Sequence, residues 1–443
     1  MAMTIMIEKQ STKIIKPFVQ TPPTLSHYKL GFIDEFAPAV NVGVVFFFSA
    51  ISNNNHHPNL FAPLEKSLAE TLTQFYPLAG RYDDQHDNII DCNDQGAEFT
   101  HAKVINNIKL EEFLVSQVDD YKLIDEFIPF KIGASLQQSH SLLAAQVTTF
   151  ACGGVAIGVA ATHKIVDAST LCMLVNEWGV RNREMELTGA GAGAGAGFNS
   201  CSCSVFPGRG LSSIPVPPMN DDMLNKHMRK KLSFSESLIL NIKAKGKKRW
   251  SKVQIASALI WKTLMCVDTT IRENHPTHYK LLQLVNLREK MASSLITKNS
   301  CGNFWGFCLT VCKQSLIMTT EELTDLCSDS VKKFVTSISN NKEESGQEEM
   351  VLNSLVGGSN NIHVDANHHV VGVTSWCKFP FYAVDFGYGK PIWVAPGTIP
   401  IKNTAYLMDD AQGNGVEAYV FLQLEDIPYF EEALANVLKP FAA

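Results

Sequence analysis

The chain has 443 residues, of which 45% are hydrophobic and 19% charged, with 38 Lys and Arg against 44 Asp and Glu for a formal net charge of -6. That length can bury more than one core, and at roughly 150 residues per domain two domains are expected. The composition is that of a globular rather than a disordered chain, and the acidic balance argues against a general nucleic-acid binder.

Met1 to Lys16 alternates apolar, polar and basic residues without a sustained apolar core and small-residue cleavage site, so no signal peptide is expected. Val42 to Ile51 is too short to span a bilayer, and Ala144 to Thr162 is interrupted by Gln146, Thr148, Thr149 and a Gly pair. Both read as core strands, and no membrane partner is expected. Pro63 to Tyr76 reads as a helix with Leu64, Leu68, Leu72 and Phe75 on one face. Leu143 to Phe150 and Val155 to Ala161 read as antiparallel strands joined by a turn at Cys152-Gly153-Gly154.

His163 closes the second of these strands. After it, Leu171, Leu174, Val175 and Trp178 recur at the spacing of one helix face, and Asp167 stands where an N-cap belongs. A His in this place is either a hydrogen-bonded boundary residue or a general base, and the residues of this stretch leave both open. A metal site is disfavoured, because His163 and Asp167 do not share a helix face and no other His or Cys falls at zinc-ligand spacing nearby. The chain holds no Gly-x-Ser-x-Gly elbow. As a catalyst, His163 would therefore activate a substrate's own nucleophile.

Thr188 to Gly197 is a Gly-Ala tract followed by Ser/Cys-rich and Pro-rich sequence, so about 188 to 226 reads as an exposed crossover between a domain at 1–187 and another at 227–443. A phosphate-binding loop is disfavoured there, since no strand feeds the tract and no helix leaves it. Beyond it come a strand at Lys231 to Phe234, a helix from Ser235 to Ala244, and a helix whose capping box pairs Ser251 with Gln254. Between the helices, the basic run contributes Lys243, Lys247, Lys248 and Arg249. It is either a solvated surface or, with Ser251 at a helix start, a phosphate holder. Asn340 to Glu349 reads as a polar surface loop. Strands are expected at His369 to Trp376, Ile392 to Ala395 and Glu417 to Leu424, then a closing helix; the class is mixed α/β without regular strand–helix alternation. Eleven cysteines, an odd number without a Cys-x-x-Cys pair, favour a reducing, cytoplasmic location.

His163-Lys-Ile-Val-Asp167 matches an H-x-x-x-D motif, and Asp385-Phe-Gly-Tyr-Gly-Lys-Pro391 lies close to D-F-G-W-G-K-P. With Tyr76-Pro-Leu-Ala-Gly-Arg81, Cys92-Asn-Asp-Gln-Gly96, Val285-Asn-Leu-Arg288 and Thr374-Ser-Trp376, these pieces resemble the plant BAHD acyltransferases over nearly the whole chain. The similarity is greatest to their alkaloid O-acetyltransferase clade. The resemblance implies an α/β fold of two similar-sized chloramphenicol-acetyltransferase-like domains with mixed sheets, a long crossover, and an active-site channel between them. It implies acyl transfer, acetyl by preference, from a coenzyme A thioester used as co-substrate to an alcohol acceptor. No permanently bound cofactor and no metal are expected, and the protein is expected to be a monomer.

By the same resemblance His163 is the general base, Thr374 and Trp376 donate to the oxyanion, and Asp167 pairs with Arg288 in a structural role. Asp385, Gly387 and Gly389 shape a loop on the CoA side, where Tyr388 replaces the usual Trp. An amine acceptor, giving an N-acyltransferase, fits the same residues. A binding member that has lost catalysis is opposed by the intact His163, Asp167 and Arg288.

Overall fold

The computed structural model describes residues 4–50, 60–83, 88–116, 122–130, 140–188, 197–198, 202–215, 226–271, 276, 278–291, 296–313, 318–362, 368–398 and 401–441. The strands are β1 (Ile7–Ile15), β2 (His27–Lys29), β3 (Asn41–Phe48), β4 (Arg81–Tyr82), β5 (Ile89–Asp91), β6 (Ala97–Val104), β7 (Leu143–Thr149), β8 (Val155–Thr162), β9 (His227–Phe234), β10 (His278–Asn286), β11 (Trp305–Cys312), β12 (His368–Ser375), β13 (Trp393–Pro396), β14 (Thr404–Asp409) and β15 (Val416–Gln423). The α-helices are α1 (Phe32–Phe36), α2 (Phe61–Gln74), α3 (Leu110–Ser116), α4 (Ala168–Thr188), α5 (Glu236–Lys245), α6 (Lys252–Ile271), α7 (Thr320–Asn340), α8 (Glu344–Ile362) and α9 (Ile427–Leu438).

They form two units, neither continuous in sequence: residues 1–219 with 295–304 and 379–399, and residues 220–294 with 305–378 and 400–443. The first unit is built on a mixed sheet in the order β1-β6-β7-β8-β3-β13, and β2, β5 and β4 make a small second sheet. Strands β3 and β8 are buried along their whole length. That accounts for their unbroken apolar composition, since a central strand covered on both faces needs no polar alternation. Edge strand β1 is exposed apart from its ends and carries Glu8, Lys9 and Lys13, charges that discourage pairing with another chain. At the other edge β13 pairs antiparallel with β3, and Trp393 stacks on its cross-strand partner Phe47 at 5.4 Å.

The second unit carries the sheet β11-β10-β12-β14-β15-β9. Its core joins Leu259, Trp261 and Leu264 of α6 to Val371 and Val373 of β12, Val420 and Leu422 of β15, and Phe430 of α9. The period-2 alternation puts Val371 and Val373 on the core face and leaves the half-buried Gly372 and Thr374 on the other.

Two expectations change. The polar stretch from Asn340 to Glu349 is mostly helical: α7 ends at Asn340 and α8 starts at Glu344. Fully buried Gln347 donates to the carbonyls of Ile338 (3.0 Å) and Asn341 (2.8 Å), closing the end of α7 and anchoring α8. A helix start rich in charge hides its periodicity, which appears only at Val351 and Leu355, both buried. The crossover, in turn, is not simply exposed. Phe198, Ser202 and Phe206 are buried, with Phe198 edge-on to Tyr28 and Phe75, and Phe206 edge-on to Phe32. Its Gly-Ala tract, from residue 189 to 196, lies outside the described residues.

Candidate active site

His163 sits where β8 leaves the first sheet. Thr162 N–H donates to Leu142 O (2.9 Å) and His163 N–H to Val40 O (2.9 Å), so sheet bonding runs through to the His163 amide. The chain then turns through Ile165 and Val166, both fully buried, while the Lys164 ammonium donates to the carbonyls of Glu35 (2.6 Å) and Asp34 (3.3 Å) and to the Ser213 hydroxyl. Asp167 caps α4: its carboxylate accepts from Thr170 N–H at 2.9 Å, and its other oxygen from Phe304 N–H at 3.1 Å. A helix N-terminus leaves N–H groups unpaired, and a carboxylate there satisfies one of them while facing the positive end of the helix.

The Phe304 segment is fastened to the same helix start. Thr170 Oγ1 donates to Gly302 O (2.9 Å) and accepts from Gly302 N–H (3.1 Å). Beside them, the carboxamide of fully buried Asn303 donates to the His163 carbonyl (2.8 Å) and to Asp34 Oδ1 (3.0 Å). Asp34, also fully buried, accepts in addition from the N–H of Asn303 (3.2 Å), the N–H of Gly31 (3.1 Å) and the Ser202 hydroxyl. Burial pushes the Asp34 carboxyl up to about 6, with the hydrogen bonds from Ser202, Gly31 and Asn303 pulling the other way. Sequence reasoning missed both Asp34 and Asn303. The available signals were a carboxylate inside the apolar run Leu30 to Phe36 and a lone polar residue in Cys301 to Trp305, neither of which has a period.

The His163 side chain is half-buried, and its Nδ1 is buried with no hydrogen-bond partner among the described residues. Burial lowers the ring's pKa below the ordinary 6.5, and hydrogen bonding to its own backbone, the nearby Asp167 charge and the Asn303 side chain offset part of that fall. The imidazole is thereby kept neutral near pH 7, the state in which it accepts a proton.

Asp385 organises its own loop. Its Oδ1 accepts from the N–H groups of Gly387 (2.8 Å) and Gly389 (3.1 Å), and Oδ2 pairs with Arg183 at 3.2 Å. Gly387 and Gly389 have φ of 95° and 79°, left-handed values that disfavour a side chain. Phe386 is buried edge-on to Trp178 at 4.8 Å, and its carbonyl accepts from Asn182 of α4 (2.8 Å). The loop thus locks onto the helix that Asp167 starts. Tyr388 keeps an aromatic contact, edge-on to Phe48 at 6.1 Å.

The second unit holds the other sequence-derived residues. Buried Arg288 follows β10 and donates to Asn286 Oδ1 from its backbone N–H (3.0 Å) and its guanidinium (3.3 Å). Thr374 lies on β12, and Trp376 just beyond it is buried, its ring edge-on to Tyr406 and its backbone N–H donating to Leu407 O (2.7 Å). In the basic run, Lys243 is half-buried, Lys247 and Arg249 are exposed, and Lys248 pairs with Asp329 (2.8 Å) and Asp325 (3.7 Å). Ser251 completes its box with Gln254, accepting at 3.2 Å and donating at 2.8 Å.

A cavity of about 630 Å³ in the first unit is lined by Glu35, Ala39, Tyr82, Lys164, Leu211 and Ser213, among others. It adjoins the His163 turn, because Lys164 follows His163 and the Tyr82 hydroxyl shares a hydrogen bond with Thr162. Among the described residues no cluster of three or more His, Cys, Asp or Glu side chains is placed to hold a metal ion, and no helix is long and apolar enough to cross a membrane.

The chain is similar to known proteins in sequence and in fold. Limonoid 21-O-acetyltransferase of Melia azedarach is 30% identical over 427 residues, 95% of each chain, and stemmadenine O-acetyltransferase of Catharanthus roseus is 30% identical over 439 residues, 97% of each. Among solved structures, vinorine synthase superposes with a TM-score of 0.82 at 25% identity over 98% of each chain. The F. sporotrichioides TRI101 protein, solved with coenzyme A and T-2, shares the fold at 15% identity, with a TM-score of 0.67 over 91% of this chain and 97% of its own. The mixed α/β architecture of two sheet-bearing units is theirs. With the Transferase family model matching residues 5–436, the chain belongs to that family, the BAHD acyltransferases.

Proposed function

We propose that this acyltransferase moves an acetyl group from acetyl-CoA to a hydroxyl of a specialised plant metabolite of the alkaloid class, with His163 as general base. The observation that carries the reading is a His163 ring kept neutral by burial, with an unpartnered Nδ1, on a backbone held on both sides. The ring takes the acceptor's hydroxyl proton as its oxygen attacks the thioester carbonyl. Collapse of the tetrahedral intermediate breaks the C–S bond, and the imidazolium returns the proton to the CoA sulfur. General-base help of this kind is typically worth ~10²–10⁴ in rate. Thr374 and Trp376 donate to the intermediate's oxyanion, one such donor being worth about 10²–10³. Direct transfer requires no acyl-enzyme, and no permanently bound cofactor enters the scheme.

Asp167 and Arg288 are assigned a structural pairing, and Asp385, Gly387 and Gly389 the shaping of their loop. Lys243, Lys247, Lys248, Arg249 and Ser251 are assigned to the CoA phosphates; Lys247 and Arg249, exposed beside a helix start, suit that role best. The cavity beside Lys164 has the volume of a small-molecule site and is assigned to the acceptor. A monomer acting in the cytoplasm completes the reading.

The test is a screen of acetyl-CoA and other acyl-CoA donors against alcohols and amines, reading thiol release and product mass. Ester products with acetyl-CoA are expected, and turnover in His163→Ala should fall by ~10²–10⁴ with an unchanged circular dichroism spectrum. Amide products would favour the N-acyl reading. Turnover retained in His163→Ala would remove the base assignment.

A further inference from the structure

We propose that Asn303, oriented by Asp34, is a positioning residue for His163, fixing the direction in which its imidazole leaves the backbone. The proposal rests on the reading of His163 as the base. Both peptide groups that flank the His163 α-carbon are pinned. The preceding one donates through the His163 N–H to Val40 O at 2.9 Å, and the following one accepts through the His163 carbonyl from the Asn303 carboxamide at 2.8 Å. With both peptide planes held, the Cα–Cβ direction is set before any substrate arrives. The first bond is an extension of the β8–β3 pairing, which strand formation supplies by itself. The second comes from a residue 140 positions away in sequence, and is a specific addition.

The orientation of the Asn303 carboxamide is unambiguous, because both of its partners, a carboxylate and a carbonyl, are pure acceptors. Its two protons are used, one on Asp34 and one on His163. Asp34 in turn receives Gly31 N–H, Asn303 N–H and the Ser202 hydroxyl, so its two oxygens are filled by four donors, and it is fully buried. A carboxylate saturated in this way has no lone pair directed at a substrate. Its effect is to stop the Asn303 amide from flipping or withdrawing. The chain order of interaction is Ser202 and Gly31 to Asp34, Asp34 to Asn303, and Asn303 to His163. A 1 Å misplacement of a catalytic group can cost about 10² in rate, the scale expected here.

The experiment compares wild type, Asn303→Ala and Ser202→Ala by two readings. In steady-state kinetics with acetyl-CoA, Asn303→Ala should lower kcat by about 10²-fold while leaving KM for both substrates within about threefold. Ser202→Ala, which loosens the far end of the network, should lower kcat severalfold. In proton–carbon spectra of protein labelled at the histidine ring carbon, the His163 signal is assigned by its loss in His163→Ala. That signal should titrate below the ordinary histidine range in wild type and, because the Asn303 side chain holds the ring's pKa up, should be broadened or doubled with its titration moved further down in Asn303→Ala. A kcat within about threefold of wild type, or a His163 signal with unchanged line shape and titration, overturns the proposal. Should Asn303→Ala not fold, the same signal in Ser202→Ala decides, movement supporting the proposal and constancy removing it. The spectral reading does not depend on turnover: a wild type that consumes no acyl-CoA refutes the proposed reaction, while an unmoved signal refutes the positioning.

Discussion

Replacing Asp167 with Ala separates a structural carboxylate from a chemical one. The side chain accepts two backbone N–H groups, Thr170 at 2.9 Å and Phe304 at 3.1 Å, and is itself buried. Loss of an N-cap costs about 0.5–2 kcal/mol. Leaving the buried Phe304 N–H without its acceptor costs about 1–3 kcal/mol. Together Asp167→Ala should lose about 1.5–5 kcal/mol, a large share of the roughly 5–15 kcal/mol by which folded domains are stable. Asp167→Asn keeps one acceptor oxygen and should lose about half as much. Urea unfolding of purified proteins at pH 7 reads the difference as a shift in midpoint at constant slope. The structural role proposed for Arg288 predicts that Arg288→Ala costs about 3–5 kcal/mol, and that the double variant loses less than the two single losses combined. An Asp167→Ala protein within about 0.5 kcal/mol of wild type, yet inactive, would refute the structural reading and place the carboxylate in the chemistry.

Two further outcomes follow from the geometry. Because burial lowers the His163 pKa, the acid limb of kcat/KM should lie below pH 6.5, with activity lost as pH falls through the ring's pKa and flat above it. Asp167→Asn removes the charge that raises that pKa, so its limb should move further toward acid; a shift to higher pH in a pH–rate series would contradict the assigned electrostatics. At the second motif, Asp385→Asn retains the oxygen that holds Gly387 and Gly389 and gives up only the pairing with half-exposed Arg183, for a loss below about 1 kcal/mol. Asp385→Ala frees both N–H groups and should cost about 1–3 kcal/mol in thermal or urea unfolding, and the reverse order of the two variants would show that the ion pair rather than the turn matters.

Local pattern was enough to read the hairpin of β7 and β8, the helix α2, the capping box at Ser251 and the N-cap at Asp167, because each depends on residues within a few positions of one another. It was not enough for α8, where charge at the helix start masked the apolar stripe, or for the crossover, whose buried Phe198 and Phe206 lie in sequence without a period. The length and the apolar runs by themselves determined a mixed α/β chain with His163 at the end of a core strand, and the two spaced motifs pointed to an acyltransferase only through the family they resemble. Only the tertiary structure decided that residues 379–399 add an edge strand to the first sheet and seat Asp385 on Arg183, and that residues 295–304 bring Asn303 to the His163 carbonyl. Strand addition and buried hydrogen bonds join groups more than a hundred residues apart, and such pairings are settled by which polar groups must be satisfied once the core closes, a condition that no local window of sequence contains.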